Sequence, residues 1–203
     1  MNCKVIAVTG GIACGKSTVA RFLSELDCDI LDTDDLSHDL QGPRGEAVEA
    51  IAERFGPDAI ALDGAVNRRV LGRLVFSDPA ARVALEEIMH PLIWAEVEKW
   101  ISTRADGTRN VVLIPLLFEA GFDRKFPWEA TVAVVSSKEA QLSRLANRGI
   151  VGAEAEARIA AQMPCEEKSQ RATFSIVNNG SMELLKAETR KVFDMVFRIR
   201  NGE

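Results

Sequence analysis

Apolar residues recur along the chain with two distinct periods. Near-continuous apolar runs occupy residues 5–8, 110–118, 130–135 and 174–177, and runs of this length bounded by glycine or polar turns read as strands covered on both faces. Residues 28–32 read as a further short strand that runs into the carboxylates Asp32, Asp34 and Asp35. Elsewhere the apolar positions fall three and four apart, the spacing of one helix face. Val19, Phe22, Leu23 and Leu26 form one such stripe. Val48, Ile51, Ala52 and Phe55 form another, closed by Gly56 and Pro57. Asp63-Gly64 marks a turn, and Ser77-Asp78-Pro79 reads as a helix start that carries Leu85, Ile88 and Met89. His90-Pro91 is expected to interrupt that helix, with Ile93, Val97, Trp100 and Ile101 as the stripe of the next. After the strand at 130–135, Ser136-Ser137 leads into a helix holding Leu142 and Leu145, with Arg144 and Arg148 four apart on one face. An alanine-rich helix over 153–162 ends at Met163-Pro164, and Ser181 is placed to cap a C-terminal helix that uses Leu185, Val192 and Val196.

The alternation of strands with helices predicts an α/β protein with a doubly wound parallel sheet. Pro115 has no N–H for a sheet ladder, so the central strand is expected to end near Ile114, leaving Glu119 just beyond its carboxyl end. Thirty acidic residues against 25 basic ones give a net charge of −5, which makes nucleic acid a poor partner. The N-terminus enters the first strand without a signal-type apolar region, and no apolar run is long enough to span a bilayer. A cytoplasmic protein that needs no membrane is expected. Cys3, Cys14, Cys28 and Cys165 show no C-x-x-C spacing, which argues against a zinc site and a disulfide scaffold. Cys14 reads as a small loop residue, the alternative being a thiol of lowered pKa.

The first strand gives way to Gly10-Gly11-Ile12-Ala13-Cys14-Gly15-Lys16-Ser17-Thr18, with the spacing G-x-x-x-x-G-K-S and a helix after it. Glycines allow the backbone N–H groups to wrap a polyphosphate, Lys16 adds a point charge, and the helix N-terminus points its donors at the same anion. Ser17 stands where a hydroxyl ligates magnesium. In an open α/β sheet ligands lie beyond the carboxyl ends of strands, so the carboxylates after residue 31 are candidates for the same crevice.

An ordered set of motifs makes the chain resemble the dephospho-CoA kinase family, within the P-loop nucleoside monophosphate kinase-like group. Besides the loop it includes Asp32-Thr33-Asp34, Phe55-Gly56, Asn67-Arg68-Arg69, His90-Pro91, Pro115-Leu116-Leu117-Phe118-Glu119, Gln141 to Leu145 with Arg148, Gln162, and Asn178-Asn179-Gly180. Ala13-Cys14 departs from the usual Gly-Ser, Ala172-Thr173 from Ala-Asp, and Val177 from a frequent Asp.

The resemblance implies one P-loop kinase domain over 1–203, with a core at about 1–34, 106–136 and 172–203. A helical acceptor-binding region would occupy about 35–105 and a helical lid about 137–171. It implies transfer of the γ-phosphoryl group of ATP to the ribose 3′-hydroxyl of dephospho-CoA, with Mg2+ as cofactor, by a monomer or weak homo-oligomer. Gly11, Ile12, Ala13, Cys14, Gly15, Lys16, Ser17, Thr18, Arg144 and Asn178 would hold ATP, with Ser17 as metal ligand. Asp34 would act as base, with Lys16 and Arg148 as the other catalytic groups. Arg68, His90, Leu117 and Glu119 would join Asp34 at the acceptor. Asp32 or Glu119 would stand behind the magnesium-bound waters, and the bland readings are that Asp34 or Asp35 caps a helix, that Glu119 is a solvated cap, and that His90 is structural. Two other functions fit the loop: a P-loop kinase for another small molecule, and a nucleotide switch or ATPase without an acceptor. No N-K-x-D guanine motif is present.

Overall fold

A computed structural model describes residues 4–105 and 107–199; Cys3 lies outside them. By its contacts the chain divides into two compact units, Met1–Leu31 with Arg104–Glu203, and Asp32–Thr103.

The first unit is built on a five-stranded sheet of order β2-β3-β1-β4-β5, from β1 (Val5–Gly10), β2 (Cys28–Asp32), β3 (Arg109–Leu113), β4 (Ala130–Val135) and β5 (Phe174–Val177). The pairs β1–β3, β1–β4 and β4–β5 are parallel. The period-2 register sorts the side chains cleanly. Ile6, Val8, Val111, Leu113, Val132, Val134 and Ile176 share one face with Val19, Phe22 and Leu23 of α1 (Lys16–Ser24) and Leu185, Val192, Phe193 and Val196 of α9 (Met182–Ile199). The opposite parity, Ala7, Thr9, Ala133 and Ser175, is covered by a helix that the sequence pattern did not reveal, α8 (Cys165–Arg171). There the Ser175 and Ser169 hydroxyls lie 2.7 Å apart. With both faces covered, the sheet is the doubly wound one expected, and the central strand β1 is buried throughout.

Between β4 and α8 lie α6 (Lys138–Ala146) and α7 (Gly152–Ala160). Ser137 caps α6 by accepting from the Ala140 N–H. Arg148 was expected on α6, but the helix has already ended. Ile150 N–H bonds Leu145 O, Gly149 N–H bonds Ala146 O, and Gly149 takes φ 78°. This is a Schellman ending, with Leu145 and Ile150 packed in one cluster, and it puts Arg148 in the turn.

The second unit is helical. Asp32 caps α2 (Thr33–Leu40) by accepting from Asp34 N–H, so neither Asp34 nor Asp35 is the cap. α3 (Val48–Phe55) ends at Gly56, which takes φ 85°. Asn67 caps α4 (Arg68–Ser77), and Asp78 caps α5 (Pro79–Ser102).

His90-Pro91 does not interrupt α5. A helix-interior proline costs roughly 3 kcal/mol, yet Met89, Ile93, Val97 and Ile101 form one buried stripe at four-residue spacing on both sides of it. Continuing the stripe buries more apolar surface than a break would. Pro91 is exposed, and so is Glu87, whose carbonyl loses its helical partner, so water can serve that oxygen. Trp94 is buried and Trp100 half-buried, both largely packing residues as expected.

Candidate active site at the phosphate loop

The loop at the carboxyl end of β1 is fixed by close backbone packing before any side chain takes part. A Cβ on Gly10 would come within 2.3 Å of Val134 O, so only glycine lets β1 lie this close to β4 at its end. Gly15, with φ 100°, is the N-cap of α1, and a Cβ there would meet Asn178 Nδ2 at 2.3 Å. Ala13 also occupies the left-handed region, at φ 58°. Its methyl group packs with Leu145 and Ala155, which offsets part of the ~1 kcal/mol that this conformation costs an L-residue.

Side chains from three later segments then pin the loop. Gln141 Nε2 donates to Ile12 O at 2.7 Å, and Gln162 Oε1 accepts from Ile12 N–H at 2.7 Å. Asn178 Nδ2 donates to Cys14 O at 2.9 Å. Arg144 donates to Ala13 O at 3.0 Å, to Ser136 Oγ at 2.8 Å and to Asn178 O at 2.7 Å. Lys16 Nζ folds back to donate to Gly10 O at 2.8 Å. The amides of Ala13 and Gly15 make no protein hydrogen bond among the described residues. The first turn of α1 holds no acidic residue to compete with an anion, and Ser17 is exposed there.

Beside the loop lies a cavity of about 380 Å3, lined by Ala13, Thr18, Arg144, Arg148, Asn178 and Met182 among others. The sequence-predicted Arg144, Arg148 and Asn178 are thus brought together at one opening, although Arg144 is held by the loop itself. That volume falls in the ordinary range for a small-ligand cleft.

Glu119 has a partner that sequence reasoning missed. The Lys168 side chain is fully buried and its Nζ donates to Pro115 O at 2.8 Å and Glu119 Oε2 at 2.8 Å. Glu119 Oε1 also accepts from Met163 N–H at 3.1 Å. Glu119 is therefore neither a solvated cap nor a free carboxylate. Leu117 is fully buried and its carbonyl accepts from Phe122 and Asp123 N–H groups, which makes it a packing residue of the turn after β3.

A family profile described as CoaE, dephospho-CoA kinase, matches residues 4–183. The chain belongs to the dephospho-CoA kinase family. It is 42% identical over 205 residues to the dephospho-CoA kinase of Symbiobacterium thermophilum, covering 98% of this chain and 84% of that one. A solved structure from Thermus thermophilus superposes with a TM-score of 0.78 at 36% identity, covering 96% of this chain and 98% of the other. The dephospho-CoA kinase from Campylobacter jejuni gives 0.63 at 26%, covering 95% and 97%.

In this family member the remaining sequence-predicted residues lie in the helical unit. Asp34 is exposed in the first turn of α2, and its carboxylate makes no hydrogen bond among the described residues. Arg68 is exposed at the first position of α4, and His90 is half-buried in the middle of α5. Gln141, Gln162 and Ser136 support the loop and Lys168 supports the turn after β3; none of the four is assigned a role from the sequence alone. Both glutamines stand in the family motifs, which was the one available signal.

Proposed function

We propose that this chain carries out its family's reaction, transfer of the γ-phosphoryl group of ATP to the ribose 3′-hydroxyl of dephospho-CoA, giving CoA and ADP. The observation that carries the reading is the pinned loop, with its unpaired Ala13 and Gly15 amides, opening beside a cleft edged by Arg144, Arg148 and Asn178. Phosphoryl transfer asks chiefly for positioning and charge. Lys16 exchanges its contact with Gly10 O for the β and γ phosphates. Thr18 serves the α-phosphate region, and Arg148 adds charge from the turn after α6. Asn178 and the apolar wall at Met182 border the space for the nucleoside.

Ser17 offers a neutral oxygen donor at the start of α1, a hard ligand of the kind magnesium takes. Mg2+ bound there would offset the charge of the phosphates; the rest of the chemistry falls to side chains. Asp34 accepts the proton of the 3′-hydroxyl as that oxygen bonds to phosphorus and ADP leaves. Its freedom supports this role, since Asp32 already provides the cap. Arg68 and Arg69 support anion binding in the acceptor region: two cations in the first turn of α4, with no acid there, run against the helix dipole unless they serve a negatively charged ligand. The core, the acceptor region at about 35–105 and the lid at about 137–171 form the division of labour, and the enzyme works in the cytoplasm as a monomer or weak homo-oligomer.

The test is mass-spectrometric detection of a phosphate added to dephospho-CoA with ATP and magnesium, alongside ADP release with and without the acceptor. Stimulation by a different acceptor and none by dephospho-CoA would overturn the assignment.

A further inference from the structure

Two thiols meet behind the phosphate loop. Cys14 Sγ and Cys165 Sγ lie 3.3 Å apart, although the residues are separated by 151 positions in the chain. Cys14 is fully buried within the loop, and Cys165 is the half-buried first residue of α8. Gly11 leaves room for the meeting, since a Cβ there would stand 3.3 Å from both sulfurs, a tight contact. Cys165 also lines a second cavity, of about 290 Å3, with Ser136, Ser137, Glu166, Ser169 and Asn179 on its walls. Cys165 therefore borders a space that a small reagent can enter, whereas Cys14 is closed off from solvent.

The surroundings give the two thiols opposite characters. The hydrogen bond with Cys14 holds Cys165 down to about 6, helped by backbone N–H groups and the Lys168 ammonium. The same hydrogen bond and burial push the Cys14 thiol up. Cys28, at the start of β2 and in the same core cluster as Cys14, is pushed up to about 11 by desolvation.

We propose that Cys14 and Cys165 are a modification site: a low-molecular-weight disulfide converts them to an internal disulfide that disables the phosphate loop. The Cys165 thiolate attacks one sulfur of the small disulfide and expels the other half as a thiolate. The Cys14 sulfur, on losing its proton, attacks Cys165 Sγ, expels the second half and closes the protein disulfide. Two protein thiols lose two hydrogens and two electrons, and the small disulfide gains them as two thiols. A disulfide is about 2.05 Å long, so the sulfurs close by roughly 1.3 Å from their present 3.3 Å. That shift pulls on Cys14, between the Ala13 and Gly15 amides, and misplacements of about 1 Å cost roughly 10²-fold in a positioned reaction. Reduction restores the loop.

The full chain, free of ATP, is incubated with glutathione disulfide, then analysed by intact mass, peptide mapping and turnover. Expected are the loss of two hydrogens, a Cys14–Cys165 linked peptide, at least a tenfold fall in ATP turnover, and recovery with dithiothreitol. Cys165→Ser keeps basal turnover and loses none of it under the same treatment; Cys165→Ala is the second variant should the serine destabilise the fold. The proposal is overturned by glutathione remaining attached to Cys165 without the internal link, by a link through Cys3 or Cys28, by a link formed at undiminished turnover, or by equal inactivation of the Cys165 variants. Peptide mapping does not depend on which acceptor the enzyme uses, so it separates this inference from the proposed reaction.

Discussion

The phosphate loop and the helical unit treat their candidate functional residues in opposite ways. Around the loop nearly every group is spoken for: Ile12 is held at both its N–H and its carbonyl, Cys14 O is held by Asn178, and Arg144 spends its guanidinium on three acceptors. In the helical unit Asp34 and Arg68 project into solvent from the first turns of their helices. A triphosphate cradle needs backbone geometry set in advance, because it acts through fixed dipoles. An acceptor site can wait for its ligand. Ordering a few exposed side chains on binding costs on the order of 0.5–1.5 kcal/mol each, which binding energy can cover.

Substitutions in the two regions should therefore fail differently. The largest effect is expected from Asp34→Asn, a loss on the order of 10²–10⁴ in turnover as for a removed general base, with ATP binding and melting temperature unchanged. Near-normal turnover would remove Asp34 from the mechanism. Lys16→Ala should cost about 10²–10³ in kcat through lost transition-state charge; a deficit confined to KM would mean that Lys16 only binds.

Lys168→Met tests the pinned side by stability rather than rate. It strips a donor from Pro115 O and leaves Glu119 with the Met163 N–H in place of an ion pair, and because the Glu119 side chain keeps 22% exposure the loss should be about 2–3 kcal/mol, below the full buried-pair range. Denaturant titration measures it, and an unchanged midpoint would show the pair to be dispensable. Arg148→Ala, exposed in its turn, should raise KM for ATP about tenfold, equivalent to one charged hydrogen bond. His90→Ala, on a helix that packs through other residues, should change kcat/KM less than roughly threefold, well under 1 kcal/mol.

What was readable in the sequence followed local chemistry. The strands and α9 were legible from runs and stripes, and the loop from glycines in fixed spacing. Asp78 with Pro79 marked a helix start because capping is decided within four residues. Three features needed long-range information. Pro91 passes through α5 because a stripe on both sides has a core to bury against, whereas the local rule counts only the missing N–H. α8 has the sequence Cys-Glu-Glu-Lys-Ser-Gln-Arg, which shows no apolar stripe, since its buried member is an ammonium paired from 49 residues away. Arg148, by contrast, falls outside its expected helix for a local reason, the geometry of Gly149, a punctuation mark that the i, i+4 spacing overlooks. Glu119 stands out by its place after the central strand, but nothing nearby in sequence announces Lys168.

α8 is only seven residues long, too short to persist as an isolated helix; what keeps it wound is its anchorage at Lys168 and its packing on β4 and β1. Its amides should thus exchange with deuterium as one cooperative group, at a rate set by how often that anchorage lets go. Each opening would carry the ammonium and the Cys165 sulfur into water together. Exchange at Cys165–Arg171 would then serve as a clock for both the ion pair and the thiol, running slower wherever either is tied down.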